Sequence, residues 1–258
     1  MVRRFSERWV KLLPLITQHS ALITQHSALN SINHQQSTIH NQPPMHAALF
    51  DFDGTLADSF AGITASTNHV RQHYGLPPLP ESEIRGYVGF GLPNLMETLV
   101  PTAPVDEAVA LYRAHHKTAM LTGTKLMPGV AETIPELARR GLKMAVCSNK
   151  RVEFTRQLVA MLGLQQYFAT ILGPEDVDNR PKPDPAMLLE GLSRLKVSVG
   201  EAVYVGDMAI DVHAGKAAGL TVWLVLGGAA GHESATDAGP DRVLNNFAEL
   251  LKWLPALV

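Results

Sequence analysis

The sequence predicts an α/β protein: a doubly wound parallel sheet with a Rossmann-like core and an inserted all-helical cap domain. Three observations lead there. Short apolar runs that meet a glycine or a carboxylate recur along the chain, as buried parallel strands do. Amphipathic stretches separate them, so strand and helix alternate. Residues 59–127 break that alternation and read as helices only.

In chain order, residues 1–44 come first and look like different material. They carry Arg3, Arg4, Arg8 and Lys11 against Glu7 alone. They also hold a tandem repeat, LITQHSA at Leu15–Ala21 and again at Leu22–Ala28, followed by a tract rich in Gln, Asn, His and Ser. Such a tract can hardly build a packed core. The segment is read as a disordered or spurious extension, with Met45 as the expected true start and a targeting leader as the alternative. A run at Ala47–Phe52 is the first predicted strand, and it opens into Asp53 and Gly54. The helical insertion of 59–127 has a Pro-rich corner at Pro77–Pro80 and a Gly-rich turn at Gly86–Gly91. Predicted strands follow at 143–147, 202–205 and 221–225, with predicted helices at 130–140, 152–162, 185–195 and 210–218. The domain assignment is therefore 45–58 and 128–258 for the α/β core and 59–127 for the cap.

Composition excludes several function classes. The formal net charge of −2 offers no bulk attraction for nucleic acid or an anionic membrane. The longest apolar stretch, Leu220 to Ala230, falls far short of the roughly 20 residues that span a bilayer. The single cysteine, Cys147, cannot form an internal disulfide, which points to a reducing, cytoplasmic setting. A soluble monomer or homodimer acting on a small molecule is the expectation.

Open parallel sheets bind ligands beyond the carboxyl ends of their strands. Four segments deliver polar residues there: Asp51, Asp53 and Thr55; Ser148 and Asn149; Lys182; and Asp207 with Asp211. Carboxylates suit a divalent metal; a hydroxyl, an amide and an ammonium suit a phosphoryl group; one carboxylate is left to move a proton. Asp51-Phe52-Asp53-Gly54-Thr55, Ser148, Lys182-Pro183 and Gly206-Asp207-x-x-x-Asp211 resemble the four motifs of the haloacid-dehalogenase-like hydrolase superfamily. The inserted helices, Val88-Gly89-Phe90-Gly91 and Lys182-Pro183-Asp184-Pro185 resemble its phosphoglycolate phosphatase-like branch.

That resemblance implies a magnesium-dependent phosphatase with 2-phosphoglycolate as leading substrate. Sugar phosphates, nucleotides, pyrophosphate, a mutase reaction of the β-phosphoglucomutase type, and a non-catalytic binding protein on the same fold are the alternatives. It implies Asp51 as the nucleophile that forms an aspartyl-phosphate, and Asp53 as general acid and then base. Asp51, Asp207, the Asp53 main-chain carbonyl and, in or beside the shell, Asp211 would hold magnesium. Thr55, Ser148, Asn149 and Lys182 would bind the phosphoryl oxygens. An acid at Asp53 is what dehalogenating and phosphonate-cleaving relatives lack, which favours phosphate chemistry here.

In the cap turn, Tyr87, Gly89, Phe90 and Gly91 are the expected specificity residues. The glycines permit positive φ and close backbone approach, and the aromatics limit the space. The competing reading is a turn whose aromatics pack between cap helices. Cys147 reads as a small buried hydrophobe, and its place next to Ser148 raises the expectation of sensitivity to oxidation. His115 and His116 read as surface residues, and Gly227-Gly228 with Gly231 as a plain loop.

Overall fold

The computed structural model describes residues 45–228, 232–254 and 256. The readings made of residues 1–44 and of Gly231 lie outside these. Strand β1 (Ala47–Phe50) leads through a tight loop to a two-stranded antiparallel sheet, β2 (Ala57–Asp58) with β3 (Lys125–Leu126). Helices α1 (Phe60–His73), α2 (Glu81–Arg85), α3 (Leu92–Leu99) and α4 (Val105–Thr122) lie between its two strands in sequence. Alternation then resumes with α5 (Val130–Arg139), β4 (Lys143–Cys147), α6 (Val152–Met161), β5 (Thr170–Leu172), α7 (Ala186–Leu195) and β6 (Ala202–Gly206). It closes with α8 (Ala209–Ala217), β7 (Thr221–Val225), α9 (His232–Asp237), β8 (Arg242–Leu244) and α10 (Leu250–Trp253).

The main sheet has the order β5-β4-β1-β6-β7-β8, and every neighbouring pair is parallel. The chain leaves β1 for β4 on one side and later returns to β6 on the other. The order therefore reverses at β1, and a crevice opens beyond the carboxyl ends of β1, β4 and β6. All four residues of β1 are buried. Ala48 and Phe50 pack into one apolar layer with α5 and α6, and Ala47 and Leu49 into the other with α7 and α8. Two-sided burial explains why this strand reads as continuous apolar sequence rather than as alternation.

Three features depart from the sequence expectation. The first strand ends at Phe50, because the N–H groups of Thr55, Leu56 and Ala57 all turn back onto the Phe52 carbonyl. Strand β3 falls within 59–127, a region expected to be helical only; Met127 N donates to Leu56 O at 3.0 Å beside it. Strands β5 and β8 were not anticipated. Each is three residues at a sheet edge, too short to display a period.

The inserted helices have their own apolar cluster, with Phe60, Ile63, Val70, Leu95, Leu99 and Tyr112 among its members. Helices α1 and α4 approach closely at glycines: a Cβ on Gly123 would lie 2.4 Å from Gly62 N. Met208 and Ile210, from the sheet side, complete the same cluster. The insertion is thus packed directly against the segment that follows β6. No helix among the described residues is long and apolar enough to cross a membrane.

Candidate active site

Asp51 follows the last residue of β1 and keeps one ladder bond, its N–H donating to Val205 O at 2.9 Å. Its side chain is buried against Lys182, whose Nζ lies 2.8 Å from Asp51 Oδ1. The same ammonium is 2.6 Å from Asp211 Oδ1 and donates to the Tyr204 hydroxyl at 2.9 Å. Two hydrogen bonds, to Asp211 and Tyr204, and an ion pair with Asp51 make an ammonium tolerable at a side-chain exposure of 1%. Burial alone would lower the Lys182 pKa, but Asp211 and Asp51 outweigh it and hold the group charged well above its ordinary range. Burial pushes the Asp51 carboxyl up to about 6; Lys182 opposes that rise, while Asp211 and Asp53 add to it.

Asp211 occupies the first turn of α8 and does not stand free. Its Oδ2 accepts the N–H groups of Asp207 and Met208 at 3.2 and 3.0 Å, and its Oδ1 accepts from Tyr204 as well as Lys182. With both oxygens engaged, Asp211 fixes the backbone that carries Asp207. Gly206 is required there, since a Cβ would fall 2.4 Å from the Asp211 side chain. Asp207 Oδ1 accepts from the Thr55 hydroxyl at 2.8 Å, so that hydroxyl is directed at a carboxylate rather than at open space.

Asp51, Asp207 and Asp211 each offer a carboxylate oxygen, and these atoms lie within 4.8 Å of one another. All three residues are buried, and one ammonium cannot neutralise them. Asp51 Oδ1 also lacks a hydrogen bond of proper geometry. A hard divalent cation with oxygen ligands fits this donor set. Asp53 is not one of the three carboxylates. Its side chain turns to Lys150, whose Nζ is 3.2 Å from both carboxylate oxygens, and accepts a hydrogen bond from the Ser59 hydroxyl. Two carboxylates two residues apart are thereby held in separate environments.

Ser148 and Asn149 leave the end of β4, as the sequence expectation has it. The Asn149 side chain, however, serves as a clip. It donates to Gly89 O at 2.9 Å and to Lys182 O at 3.0 Å, and accepts from Lys182 N at 2.7 Å. That ties β4, the lysine loop and the Gly89 turn together and commits both amide N–H donors to the protein, leaving none for a phosphoryl oxygen. Gly89, at φ +103°, sits so close to Met208 that a Cβ would lie 2.5 Å from its sulfur. Tyr87 and Phe90 remain exposed by 37% and 47%. Neither belongs to the apolar cluster of the inserted helices, which goes against packing as their role.

A cavity of about 500 Å³ joins these parts. Asp51, Asp53, Ser148 and Lys150 line it from the sheet side, and Tyr87, Phe90, Tyr112, Arg113 and His116 from the insertion. Reading the sequence alone missed Lys150 and Tyr204, whose only sequence signal was proximity to Ser148 and to Gly206. His116 corrects an expectation: it is 1% exposed, not at the surface. It faces inward across α4, stacked on Tyr112 and held by Ser66 at 2.9 Å. Burial, then the Lys150 charge, lower its pKa to about 3, so it is neutral near pH 7. Cys147 is buried as expected, and burial raises its thiol to about 12, which argues against ready oxidation. Gly228 is more than a plain loop residue: a Cβ there would lie 2.0 Å from Asp207 Oδ2, so only glycine lets the backbone pass.

The chain is similar to known hydrolases. Residues 48–225 match the model of the haloacid dehalogenase-like hydrolase family. The chain is 33% identical over 221 residues to a plasmid-borne phosphoglycolate phosphatase of Cupriavidus necator, covering 83% of this chain and 94% of that one. It is 34% identical over 224 residues to the phosphoglycolate phosphatase of Photorhabdus laumondii, with the same coverage. Among solved structures, a HAD family hydrolase from Deinococcus radiodurans with bound phosphate and sodium superposes with a TM-score of 0.66 at 28% identity, over 80% of this chain and 93% of that chain.

Proposed function

The chain belongs to the haloacid dehalogenase-like hydrolase family, and from that premise we propose that it is a magnesium-dependent, cytoplasmic phosphatase hydrolysing 2-phosphoglycolate to glycolate and phosphate. The observation that carries the reading is the pairing of two unlike carboxylates on one cavity: Asp51 buried against Lys182, and Asp53 held apart by Lys150 and Ser59. In this reading residues 59–127 act as the cap that closes over the substrate.

Asp51 Oδ attacks phosphorus, and the P–O ester bond breaks as an aspartyl-phosphate forms. Asp53 gives its proton to the departing alkoxide, then takes one from the water that cleaves the acyl-phosphate, restoring the Asp51 carboxylate and releasing phosphate. Lys182 lies beside the attacking carboxylate, where its charge offsets that gathering on the equatorial phosphoryl oxygens. Ser148 lines the same space and donates to one of those oxygens. Asn149 and Thr55 serve at one remove, the first aligning Lys182 and the second orienting Asp207. Asp51 and Asp207 would hold magnesium, with the Asp53 carbonyl; Asp211, its oxygens engaged, positions rather than ligates. Bound there, the ion would lessen the repulsion between an anionic nucleophile and an anionic substrate.

Magnesium-dependent turnover of a panel of phosphate esters, ranked by kcat/KM, tests the reading; 2-phosphoglycolate is expected to lead, and a sugar phosphate in first place would overturn the substrate assignment. Asp53→Asn is expected to slow alkyl phosphates by about 10²–10³-fold and aryl phosphates much less, since an aryl oxide leaves without a proton. Equal losses would remove Asp53 from the acid role. Phe90→Ala is expected to raise activity on bulky phosphates relative to 2-phosphoglycolate by several-fold, because this half-exposed ring narrows the cavity without supporting the cap cluster. A uniform loss across substrates would make it a packing residue instead.

A further inference from the structure

Three cationic side chains line the cavity: Arg113, Lys150 and Arg151. Lys150 is matched to Asp53, and Arg151 lies 3.3 Å from Glu153. Arg113 has no such match. Among the described residues it takes part in no ion pair, and its Nε is buried without a hydrogen-bond partner. A guanidinium N–H shut away from water and left unbonded is costly, and proteins rarely keep one without a use. The cavity also carries Glu97 and Glu175, yet neither reaches Arg113; Glu175 instead accepts from Val152 N at 3.2 Å.

Helix α4 brings Arg113, with the stacked Tyr112 and His116, to the wall contributed by the insertion, while Asp51 and Ser148 belong to the sheet. Tyr112 and His116 are both buried and bring no positive charge, so Arg113 is the cation that this wall presents to whatever lies beyond the phosphoryl group. A planar fork of N–H donors suits a flat or multi-oxygen anion better than it suits a hydroxyl.

We propose that Arg113 is a specificity residue that binds an anionic group on the leaving portion of the substrate, a carboxylate or a second phosphate, while the ester phosphate occupies the Asp51 and Ser148 end of the cavity. This rests on the phosphatase reading above and narrows it: esters with a charged leaving group are preferred over neutral ones of equal size.

The test compares kcat/KM for 2-phosphoglycolate, pyrophosphate and ethyl phosphate in the wild type, R113M and R113K. The preference for the charged substrate over ethyl phosphate is expected to fall about 10- to 100-fold in R113M, chiefly through KM, and less in R113K. A larger fall on 2-phosphoglycolate identifies a carboxylate as the partner, and a larger fall on pyrophosphate identifies a phosphate. A wild type that shows no such preference, or an R113M that lowers all three substrates equally, overturns the proposal. If R113M does not fold, R113K carries the same comparison. Calorimetric titration of Asp51→Asn protein, with and without R113M, uses 2-phosphoglycolate and ethyl phosphate as probes. It separates the two readings: a chain without phosphatase activity fails the reading above, while selective loss of 2-phosphoglycolate binding in R113M still supports the role of Arg113, and equal loss refutes it.

Discussion

Asp51→Asn is expected to abolish turnover, with a loss on the order of 10⁴-fold or more, while the protein remains folded. The amide matches the carboxylate in size but cannot form an acyl-phosphate. Folding should tolerate the change, because the substitution removes a charge that burial already penalises, and Lys182 keeps Asp211 as a partner. Steady-state kinetics with a thermal melt check both halves, and mass spectrometry guards against deamidation restoring the acid. Substantial activity in verified Asn protein would remove Asp51 from the nucleophile's role.

Lys182→Met is expected to cost both function and stability: turnover should fall by about 10³-fold or more, and the fold should lose about 3–5 kcal/mol. The argument is one of charge. Lys182 sits between two buried carboxylates, and methionine fills much of the space but leaves Asp51 and Asp211 facing each other without a cation. The Tyr204 hydroxyl loses its donor at the same time. Lys182→Arg should not restore activity, since a planar guanidinium cannot converge on Asp51, Asp211 and Tyr204 as a compact ammonium does. Urea denaturation measures the stability term. A variant as stable as the wild type would mean that the ammonium does not compensate these carboxylates.

Much of this was legible in the sequence where a pattern was long enough to speak. The runs at 143–147 and 221–225 are strands over the residues expected, and the four helices expected at 130–140, 152–162, 185–195 and 210–218 begin and end within one residue of those bounds. Short edges were not legible. β5 and β8 have three residues each, and the β2–β3 pair has two per strand, so none holds a repeat of any period. Burial of a single helical residue was equally hidden: His115 and His116 are adjacent and alike in chemistry, but only His116 turns toward Tyr112 and Phe154.

Sequence by itself determined the doubly wound core, the place of the insertion and the four segments that carry chemistry, because each follows from local apolar periodicity or from short runs of reactive side chains. Tertiary structure decided how those residues divide their work. Which oxygen of Asp211 meets Lys182, that Asn149 clips Gly89 to the lysine loop, that Thr55 bonds to Asp207, and that Arg113 shares a cavity with Asp51 all depend on residues distant in the chain. The physical reason is that hydrogen bonds and ion pairs are settled by distances of about 3 Å. Sequence spacing fixes such distances only within a helix turn or along a strand; between segments they are set by how the sheet and helices pack.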